Sequence, residues 1–145
     1  MNTFLIREAM LSDAAAIAVL NREEMGYPAS IADTEKRLKK LLADSGHKIF
    51  VAEVNGCAVG YLHLCDYDLL YYDALKNIMG IAVAKDCRKQ GIGRALLLAG
   101  EEWAKQTGAV GVRLVSGSNR VQAHAFYQKC GYIGDKLQRN MKKVW

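Results

Sequence analysis

The sequence predicts an α/β fold: a mixed β-sheet with helices on both faces, in the order β-α-α-β-β-β-α-β-α-β. Asn55-Gly56 separates two β-rich runs and therefore predicts a hairpin. Segments with apolar residues at helical spacing alternate with apolar runs of strand length. The 145 residues contain no linker, repeat or low-complexity segment, which predicts a single domain over residues 1–145.

The first part of the chain predicts one strand and two helices. Phe4-Leu5-Ile6 predicts the strand, and Ser12 is placed to cap a helix that Gly26-Tyr27-Pro28 breaks. Ser30 is placed to cap the second helix, with Asp33 following. Apolar residues at helical spacing are Ala16, Ile17, Val19 and Leu20 in the first helix, and Ile31, Leu38, Leu41 and Leu42 as the buried stripe of the second.

The rest of the chain predicts strands that alternate with helices. "KIFVAEVNGCAVGYLHL" supplies the hairpin, and the apolar run "NIMGIAVA" is typical of a strand covered on both faces. A helix runs from about Ile92 to Thr107, with Trp103 on its buried stripe, and Gly108 closes it. "VGVRLVS" (110–116) predicts the next strand.

The last predicted helix begins at a capping residue and is followed by a strand. Asn119 is placed as the cap, with Gln122 positioned to return the bond at the third helical residue. Gly131 ends this helix, and a final strand is predicted over Gln138–Val144.

The charge of the chain is uneven. The net charge is +5, but residues 1–84 hold 8 Lys/Arg against 11 Asp/Glu, and residues 85–145 hold 12 against 4. A basic second half suggests an anionic partner such as a nucleotide, a nucleic acid, or only a solvated surface. Since the aromatic residues do not interleave with the basic ones, we expect no nucleic acid partner.

Targeting and metal signals are missing from the sequence. No apolar run reaches the length of a membrane span, and the first residues do not have the pattern of a signal peptide, so we expect a cytoplasmic protein without a membrane partner. The four cysteines have no ligand spacing, and we expect no metal, no disulfide and mostly buried thiols. His47, His63 and His124 are interpreted as structural, although His63 could reach a cleft.

A basic glycine turn, "RKQGIG" (88–93), stands at the mouth of the third helix. Backbone N–H groups at a helix N-terminus lack intrahelical acceptors and favour an anion, and glycines let a phosphate approach the backbone closely. The pattern therefore suggests a pyrophosphate site, with a plain glycine turn before a well-capped helix as the alternative. It matches neither the Walker pattern nor the dinucleotide fingerprint, which needs a third glycine.

Two segments resemble the GCN5-related N-acetyltransferase (GNAT) family. "RKQGIG" is similar to the family's Arg/Gln-x-x-Gly-x-Gly/Ala signature, and "SNRVQAHAFYQKCGY" looks like its second motif, Asn…Ala…Phe-Tyr-x-Lys-x-Gly-Phe/Tyr. The order of elements is also similar over nearly the whole chain. The resemblance implies the acyl-CoA N-acyltransferase fold, in which strand four carries a bulge and splays from strand five, with the pantetheine arm of acetyl-CoA in the gap.

The resemblance also implies roles for individual residues. The loop amides would hold the pyrophosphate, Ile81 and Val83 would pair with pantetheine, and Asn119 would hydrogen-bond the cofactor nearby. Tyr127 matches the family's general acid, which protonates the leaving thiolate. The implied cofactor loop is Arg88, Lys89, Gln90, Gly91, Ile92, Gly93 and Arg94.

The residues around the acceptor amine are less defined. Met79 stands where many relatives carry a Glu that acts as the base, and a thioether cannot take up the proton. A water relay to a carboxylate is one alternative, and the segment "DYDLLYYD" could attract a cationic amine or be only a solvated loop. The candidates for acceptor binding are Glu23, Glu24, Asp66, Asp68, Tyr71, Tyr72 and Asp73.

We therefore predict an N-acetyltransferase that moves the acetyl group of acetyl-CoA to a primary amine, on a small molecule, by direct attack in a ternary complex. The alternatives are acetylation of a protein N-terminus or lysine, and a non-catalytic acyl-CoA-binding sensor domain. The resemblance also allows a homodimer, since dimers are common among relatives.

Overall fold

The computed structural model describes residues 3–145 and divides the chain into two compact units. The first ends at Leu114, and the second runs from Val115 to Trp145.

A five-stranded sheet forms the centre of the first unit. Its strands are β1 (Leu5–Glu8), β2 (His47–Val54), β3 (Cys57–Tyr67), β4 (Leu75–Val83) and β5 (Val112–Arg113), and they lie side by side in that order. The first four are antiparallel to one another, whereas β5 runs parallel to β4. The predicted hairpin is confirmed: Asn55 and Gly56 have φ of 51° and 81°, as a two-residue turn of this kind requires.

Helices α1 (Ala14–Met25) and α2 (Ile31–Leu42) cover one face of this sheet. Ile17 and Leu20 of α1 and Leu38 of α2 are buried in a cluster with strand residues, among them Val51 and Tyr61. Burial of these apolar side chains is the main force that holds the two helices on the sheet.

Helix α3 (Ile92–Gln106) covers the other face. A Cβ added at Gly100 would lie 2.8 Å from a side-chain atom of Leu62 and 3.0 Å from one of Leu64, so only glycine lets the helix approach this closely. Because side chains alternate along a strand, Leu62 and Leu64 point away from the face that holds Tyr61. The predicted mixed fold with helices on both faces is confirmed.

One predicted helix cap is confirmed and another is wrong. The hydroxyl of Ser30 accepts a hydrogen bond from the backbone N–H of Asp33 at 3.0 Å, as predicted for α2. Ser12 does not cap α1, because a 3-10 turn over Leu11–Asp13 precedes the helix and Asp13 occupies the cap position. The Asp13 carboxylate binds Arg7 and the backbone N–H of Met10.

Some apolar residues lie elsewhere than predicted. Ile31 and Leu42 are exposed because they are the first and last residues of α2, and the buried stripe consists of Thr34, Leu38 and half-buried Leu41. Trp103 is only half-buried, and the Lys76 ammonium lies over its ring, with Nζ 4.2 Å from the ring centroid.

The prediction of mostly buried thiols is also wrong. All four cysteines are free; Cys57 is exposed because it begins β3 next to the hairpin turn, and Cys65, Cys87 and Cys130 are half-buried.

Strand β5 is much shorter than the predicted span of residues 110–116. It pairs with β4 only at Lys76–Val112 and Asn77–Arg113. A strand is defined by its ladder of hydrogen bonds, so the apolar residues after Arg113 do not extend it.

The second unit contains one helix, α4 (Val121–Lys129), followed by Gly131 with φ of 93°. Asn119 does not cap α4, because a turn closed by the Arg120 N–H and the Gly117 carbonyl at 3.0 Å makes Arg120 the cap residue. The strand predicted over Gln138–Val144 is wrong: residues 132–145 contain neither helix nor strand. Apolar and polar residues are mixed in this stretch, and the unit's own described residues offer no strand with which it could pair.

Candidate active site

Strand β4 carries a bulge, and its pairing with β5 stops early. Gly80 pairs with His63 and Ile78 with Leu64, which leaves Met79 as the extra residue of the bulge. Beyond Asn77, the β5 side of β4 has no partner strand among the described residues. The bulge that the family resemblance implied is confirmed, although it lies within β4 and not at its end, and β5 itself stops at Arg113. These features leave an edge of β4 from Ile78 to Val83, with Ile81 and Val83 half-buried.

The turn that follows β4 presents a row of backbone N–H groups. A 3-10 turn (Lys85–Cys87) leads into it, and Lys89 and Gly91 adopt φ of 62° and 85°. The N–H groups of residues 89–94 have no acceptor within residues 3–145. Successive N–H groups in such a turn at a helix N-terminus form a concave site for an anion.

The residues around this turn differ in their exposure to solvent. Ile92 is 1% exposed, so only its backbone is accessible, whereas Lys89, Gly91 and Arg94 are exposed. Gln90 and Gly93 are half-buried. A Cβ at Gly91 would meet nothing within 4 Å, so the space in front of this residue is open.

The Arg88 side chain points back toward the body of the unit. Its Nη2 donates to Glu24 Oε1 at 2.5 Å, and its Nε donates to the Val83 carbonyl at 3.2 Å. Glu24 Oε2 also accepts from the backbone N–H of Lys85 at 3.2 Å. Glu23, in contrast, is exposed and pairs with Arg22 at 3.2 Å.

The predicted acceptor residues fall at two ends of β4. Asp66 pairs with Lys76 near the start of the strand, whereas Glu24 lies near Val83 at its end. Lys76 and Val83 are seven positions apart along the strand, which corresponds to about 20 Å. The exposed remainder, Asp68, Tyr71, Tyr72 and Asp73, follows β3 and lies nearer the Lys76 end.

A cavity of about 140 Å³ lies between the two N-terminal helices and the sheet. Asn21, Tyr61 and His63 are among the residues that line it, and the Tyr61 hydroxyl donates to Asn21 Oδ1. A Cβ added at Gly80 would lie 3.5 Å from the Tyr61 hydroxyl, so this phenol is next to the bulge. Burial raises the pKa of Tyr61 to about 12 and keeps it a phenol.

The sequence did not predict that Asn21 and Tyr61 line this cavity. For Tyr61 the sequence did contain a signal: side chains alternate along β3, so Tyr61 lies on the same face as His63, for which a place at a cleft was the alternative interpretation.

His63 pairs with His47 across β2 and β3. His47 Nδ1 and His63 Nε2 are 2.9 Å apart, and His47 Nε2 lies 3.9 Å from Asp44 Oδ2. Burial, with a smaller contribution from His47, lowers the pKa of His63 to about 4, so the ring is neutral near pH 7. The structural interpretation of these two histidines is consistent with this contact, and His63 also reaches the cavity.

In the second unit, Tyr127 is half-buried in an aromatic cluster. Its ring centroid lies 5.4 Å from that of Phe126 and 6.0 Å from that of Tyr132. Burial raises the pKa of Tyr127, and the nearby charge of Arg120 opposes that shift. The side chain is therefore a neutral phenol that can donate a proton. Asn119 is exposed in the turn before α4.

Within residues 3–145, no group of three or more His, Cys, Asp or Glu side chains is arranged to hold a metal ion. None of the helices in the same range has the length and apolar character needed to cross a membrane.

The chain matches the acetyltransferase (GNAT) family over residues 14–132. It is 32% identical over 136 residues to YhfO, an uncharacterized N-acetyltransferase of Bacillus subtilis (strain 168), with 90% of both chains covered. It is 30% identical over 136 residues to aminoglycoside N(6')-acetyltransferase type 1 of Stenotrophomonas maltophilia, covering 88% of this chain and 84% of that protein.

A solved structure is also similar in fold. Aminoglycoside N-acetyltransferase AAC(6')-Iy in complex with CoA superposes with a TM-score of 0.86 at 16% identity, covering 99% of this chain and 96% of that one. Both predicted motifs begin and end inside residues 14–132. With a family match over most of the chain and relatives at 30% identity or more, this protein belongs to the GNAT family and is an acetyl-transfer enzyme.

Proposed function

We propose that this enzyme transfers the acetyl group of acetyl-CoA to a primary amine of a small molecule, by direct attack in a ternary complex. The observation that carries the proposal is the row of N–H groups at residues 89–94, which have no acceptor in the described chain and stand next to the unpaired edge of β4. An anion in the turn and an amide-bearing chain along the edge would satisfy both sets of groups. Acetyl-CoA carries both, as pyrophosphate and pantetheine.

The basic side chains contribute less than the backbone. Lys89 and Arg94 are exposed and favour an anion through their charge, while the charge of Arg88 is already paired with Glu24. We therefore assign pyrophosphate binding to the N–H groups of residues 89–94 and pantetheine binding to the backbone of Ile81 and Val83. Arg88 Nε occupies the Val83 carbonyl, which leaves that group less available to pantetheine.

The reaction requires two proton movements. The amine nitrogen attacks the thioester carbonyl carbon and gives up one proton to solvent water, and the C–S bond breaks as the departing thiolate takes up another proton. We assign that proton to the Tyr127 phenol, a role that rests on the family resemblance. Because the pKa of Tyr127 is raised, the phenol keeps its proton until the thiolate forms and accepts it. Holding amine and thioester together supplies much of the remaining acceleration.

The acceptor is proposed to be a cationic small molecule. The relative from Stenotrophomonas maltophilia is named for an aminoglycoside, a class that carries several amines. Exposed carboxylates and phenols between β3 and β4 are available for such a molecule: Asp68, Tyr71, Tyr72 and Asp73. Glu24 and Asp66 are less available, since each already binds a cation of this chain.

The first experiment tests cofactor binding at the glycine turn. Gly91→Val should lower acetyl-CoA affinity by about tenfold or more, because a β-branched residue strains the positive φ and fills the open space before the amides. Gly108→Val is the matched control, since both glycines have φ of 85° with nothing within 4 Å of an added Cβ. Isothermal titration should show weaker binding in the first variant only; equal affinities would contradict the assignment of the loop.

The second experiment tests the enzyme and its acceptor class. Release of free thiol from acetyl-CoA should rise with polyamines or aminoglycosides and stay at background with a lysine peptide. Tyr127→Phe should lower kcat by about 10²-fold or more and leave acetyl-CoA binding nearly unchanged. A preference for the peptide, or a large loss of binding in the Phe variant, would overturn the corresponding part of the proposal.

A further inference from the structure

We infer that Glu24 is a positioning residue for the acetyl-CoA loop, and not a residue that binds the acceptor amine. Its carboxylate ties the turn after β4 to helix α1 through Arg88 and the backbone of Lys85. This inference rests on the proposed function for its use of acetyl-CoA, but the contacts themselves lie within the first unit.

Glu24 makes two contacts from the last turn of α1. Its side chain is only 13% exposed, and its two oxygens accept from different groups of the turn: Oε1 from Arg88 Nη2 at 2.5 Å and Oε2 from the Lys85 N–H at 3.2 Å. Arg88 in turn donates to the Val83 carbonyl at 3.2 Å. The three contacts form a closed set that joins α1, the end of β4 and the beginning of the loop.

The loop has few other attachments before the buried Ile92. The Cys87 N–H donates to the Ala84 carbonyl at 2.8 Å and the Arg88 N–H to the Lys85 carbonyl at 3.4 Å, but both bonds lie within the turn itself. Helix α1 is held on the sheet by buried Ile17 and Leu20. Contact with Glu24 therefore places the turn relative to a fixed element, and a binding site must be held to about 0.5 Å to work well.

The same geometry argues against a role at the amine. Both Glu24 oxygens are already hydrogen-bonded and the side chain is only 13% exposed, so a cationic acceptor would have to compete with Arg88 for this carboxylate. Glu24 also lies at the Val83 end of β4, about 20 Å along the strand from the exposed carboxylates near Lys76. A change at Glu24 should therefore act on the cofactor.

The test compares Glu24→Gln with Glu35→Gln, an exposed glutamate on the neighbouring helix α2. Glu24→Gln should raise the KM for acetyl-CoA roughly tenfold, leave the KM for the amine unchanged, and lower kcat little at saturating acetyl-CoA. Glu35→Gln should change none of these constants. A rise in the amine KM with no change for acetyl-CoA, or no change in either, would overturn the inference.

A double variant separates positioning from general destabilisation. If Glu24 acts through Arg88, then Glu24→Gln combined with Arg88→Gln should bind acetyl-CoA no more weakly than the worse single variant. Simple multiplication of the two losses would contradict this coupling.

Amide hydrogen exchange without ligand gives a readout that does not depend on the cofactor. The amides of Lys85, Cys87 and Arg88, which are hydrogen-bonded in this turn, should exchange faster in Glu24→Gln than in the wild type, while β2 and β3 stay unchanged; equal rates would overturn the inference. If the wild-type enzyme itself failed to bind acetyl-CoA, the proposed function would fail, and the exchange data would still decide whether Glu24 holds the turn.

Discussion

Two arginine–carboxylate clusters in the first unit use the same chemistry for different purposes. Near β1, Arg7 forms a two-pronged pair with Asp13 at 2.9 Å for both bonds and also donates to Glu53 at 2.9 Å. Near the end of β4, Arg88 binds Glu24 and the Val83 carbonyl. The Asp13 side chain is 7% exposed and the Arg7 side chain 19%, whereas that of Arg88 is 51% exposed.

The exposure of each cluster determines what it contributes. Asp13 is buried at the start of α1, where losing its partner leaves an uncompensated charge, so that cluster is part of the fold. Arg88 is half in water, where screening keeps an ion pair weak, and its contribution is the position of a loop. The number of bonds is similar, but the first cluster should govern stability and the second cofactor affinity.

The largest expected effect is on stability. Asp13→Ala leaves the half-buried Arg7 guanidinium with Glu53 as its remaining carboxylate partner and removes the acceptor for the Met10 N–H, so we expect a loss of about 3 kcal/mol in the free energy of unfolding. Urea unfolding measures it, with Glu23→Ala as the exposed control. A loss below about 1 kcal/mol would mean that the Arg7 cluster contributes as little to stability as a solvent-exposed ion pair, as expected for the Arg88 cluster.

Double-mutant cycles compare the two clusters directly. The coupling free energy between Arg7 and Asp13 should be about 1.5–3 kcal/mol, as for hydrogen bonds that involve charged groups. For Arg88 and Glu24 it should be at most about 1 kcal/mol, because half of the Arg88 side chain is in solvent. Equal couplings from chemical denaturation would remove the distinction.

His63, which belongs to neither arginine cluster, should make the stability of the first unit depend on pH. The folded pKa of His63 is about 4 against 6.5 for the free side chain, so between these values the unfolded chain binds more protons. Stability should therefore be complete above pH 6.5 and fall by about 1–3 kcal/mol toward pH 4.

Variants can separate the contribution of His63 to the loss of stability in acid from that of Asp13. His63→Gln should flatten the slope above pH 4, and His124→Gln, the control, should not. Arg7 holds the pKa of Asp13 below its usual 3.8, so the contribution of Asp13 is present above that pH and is lost only at lower pH. A profile that is flat from pH 6.5 to 4 in the wild type would contradict the role given to His63.

The smallest expected effect is at an ordinary helix cap outside both clusters. Ser30→Ala removes the acceptor for the Asp33 N–H and should cost about 1 kcal/mol of stability. Acetyl-CoA affinity, measured by titration, should not change. If Ser30→Ala lowered acetyl-CoA affinity as much as Glu24→Gln, general destabilisation would explain the loss of affinity in both variants.

Predictions from local sequence succeeded where a single turn decides the conformation. Asn55-Gly56 tolerates positive φ and forms the predicted hairpin turn. Ser30 caps α2, and α3 begins at Ile92 next to the glycine turn. In each of these places the residues that matter are within four positions of one another in the chain.

Predictions failed where the conformation of a segment depends on contacts outside that segment. Asp13, not Ser12, precedes α1, because Arg7 and the Met10 N–H hold its carboxylate. The spans predicted for β5 and for Gln138–Val144 were too long or wrong, since apolar and β-branched residues form a strand only where a neighbour supplies the hydrogen bonds.

The order of the helices and of the first five strands, the hairpin turn, and the glycine turn with its family motif can all be predicted from the amino-acid sequence. These depend on backbone preferences and on apolar spacing, which are local properties. Only the tertiary structure decided where β4 loses its partner, that Met79 bulges, and that Glu24 meets Arg88, 64 positions away in sequence. Such contacts depend on which surfaces the packed helices and strands bring together, and spacing along a single chain does not contain that information.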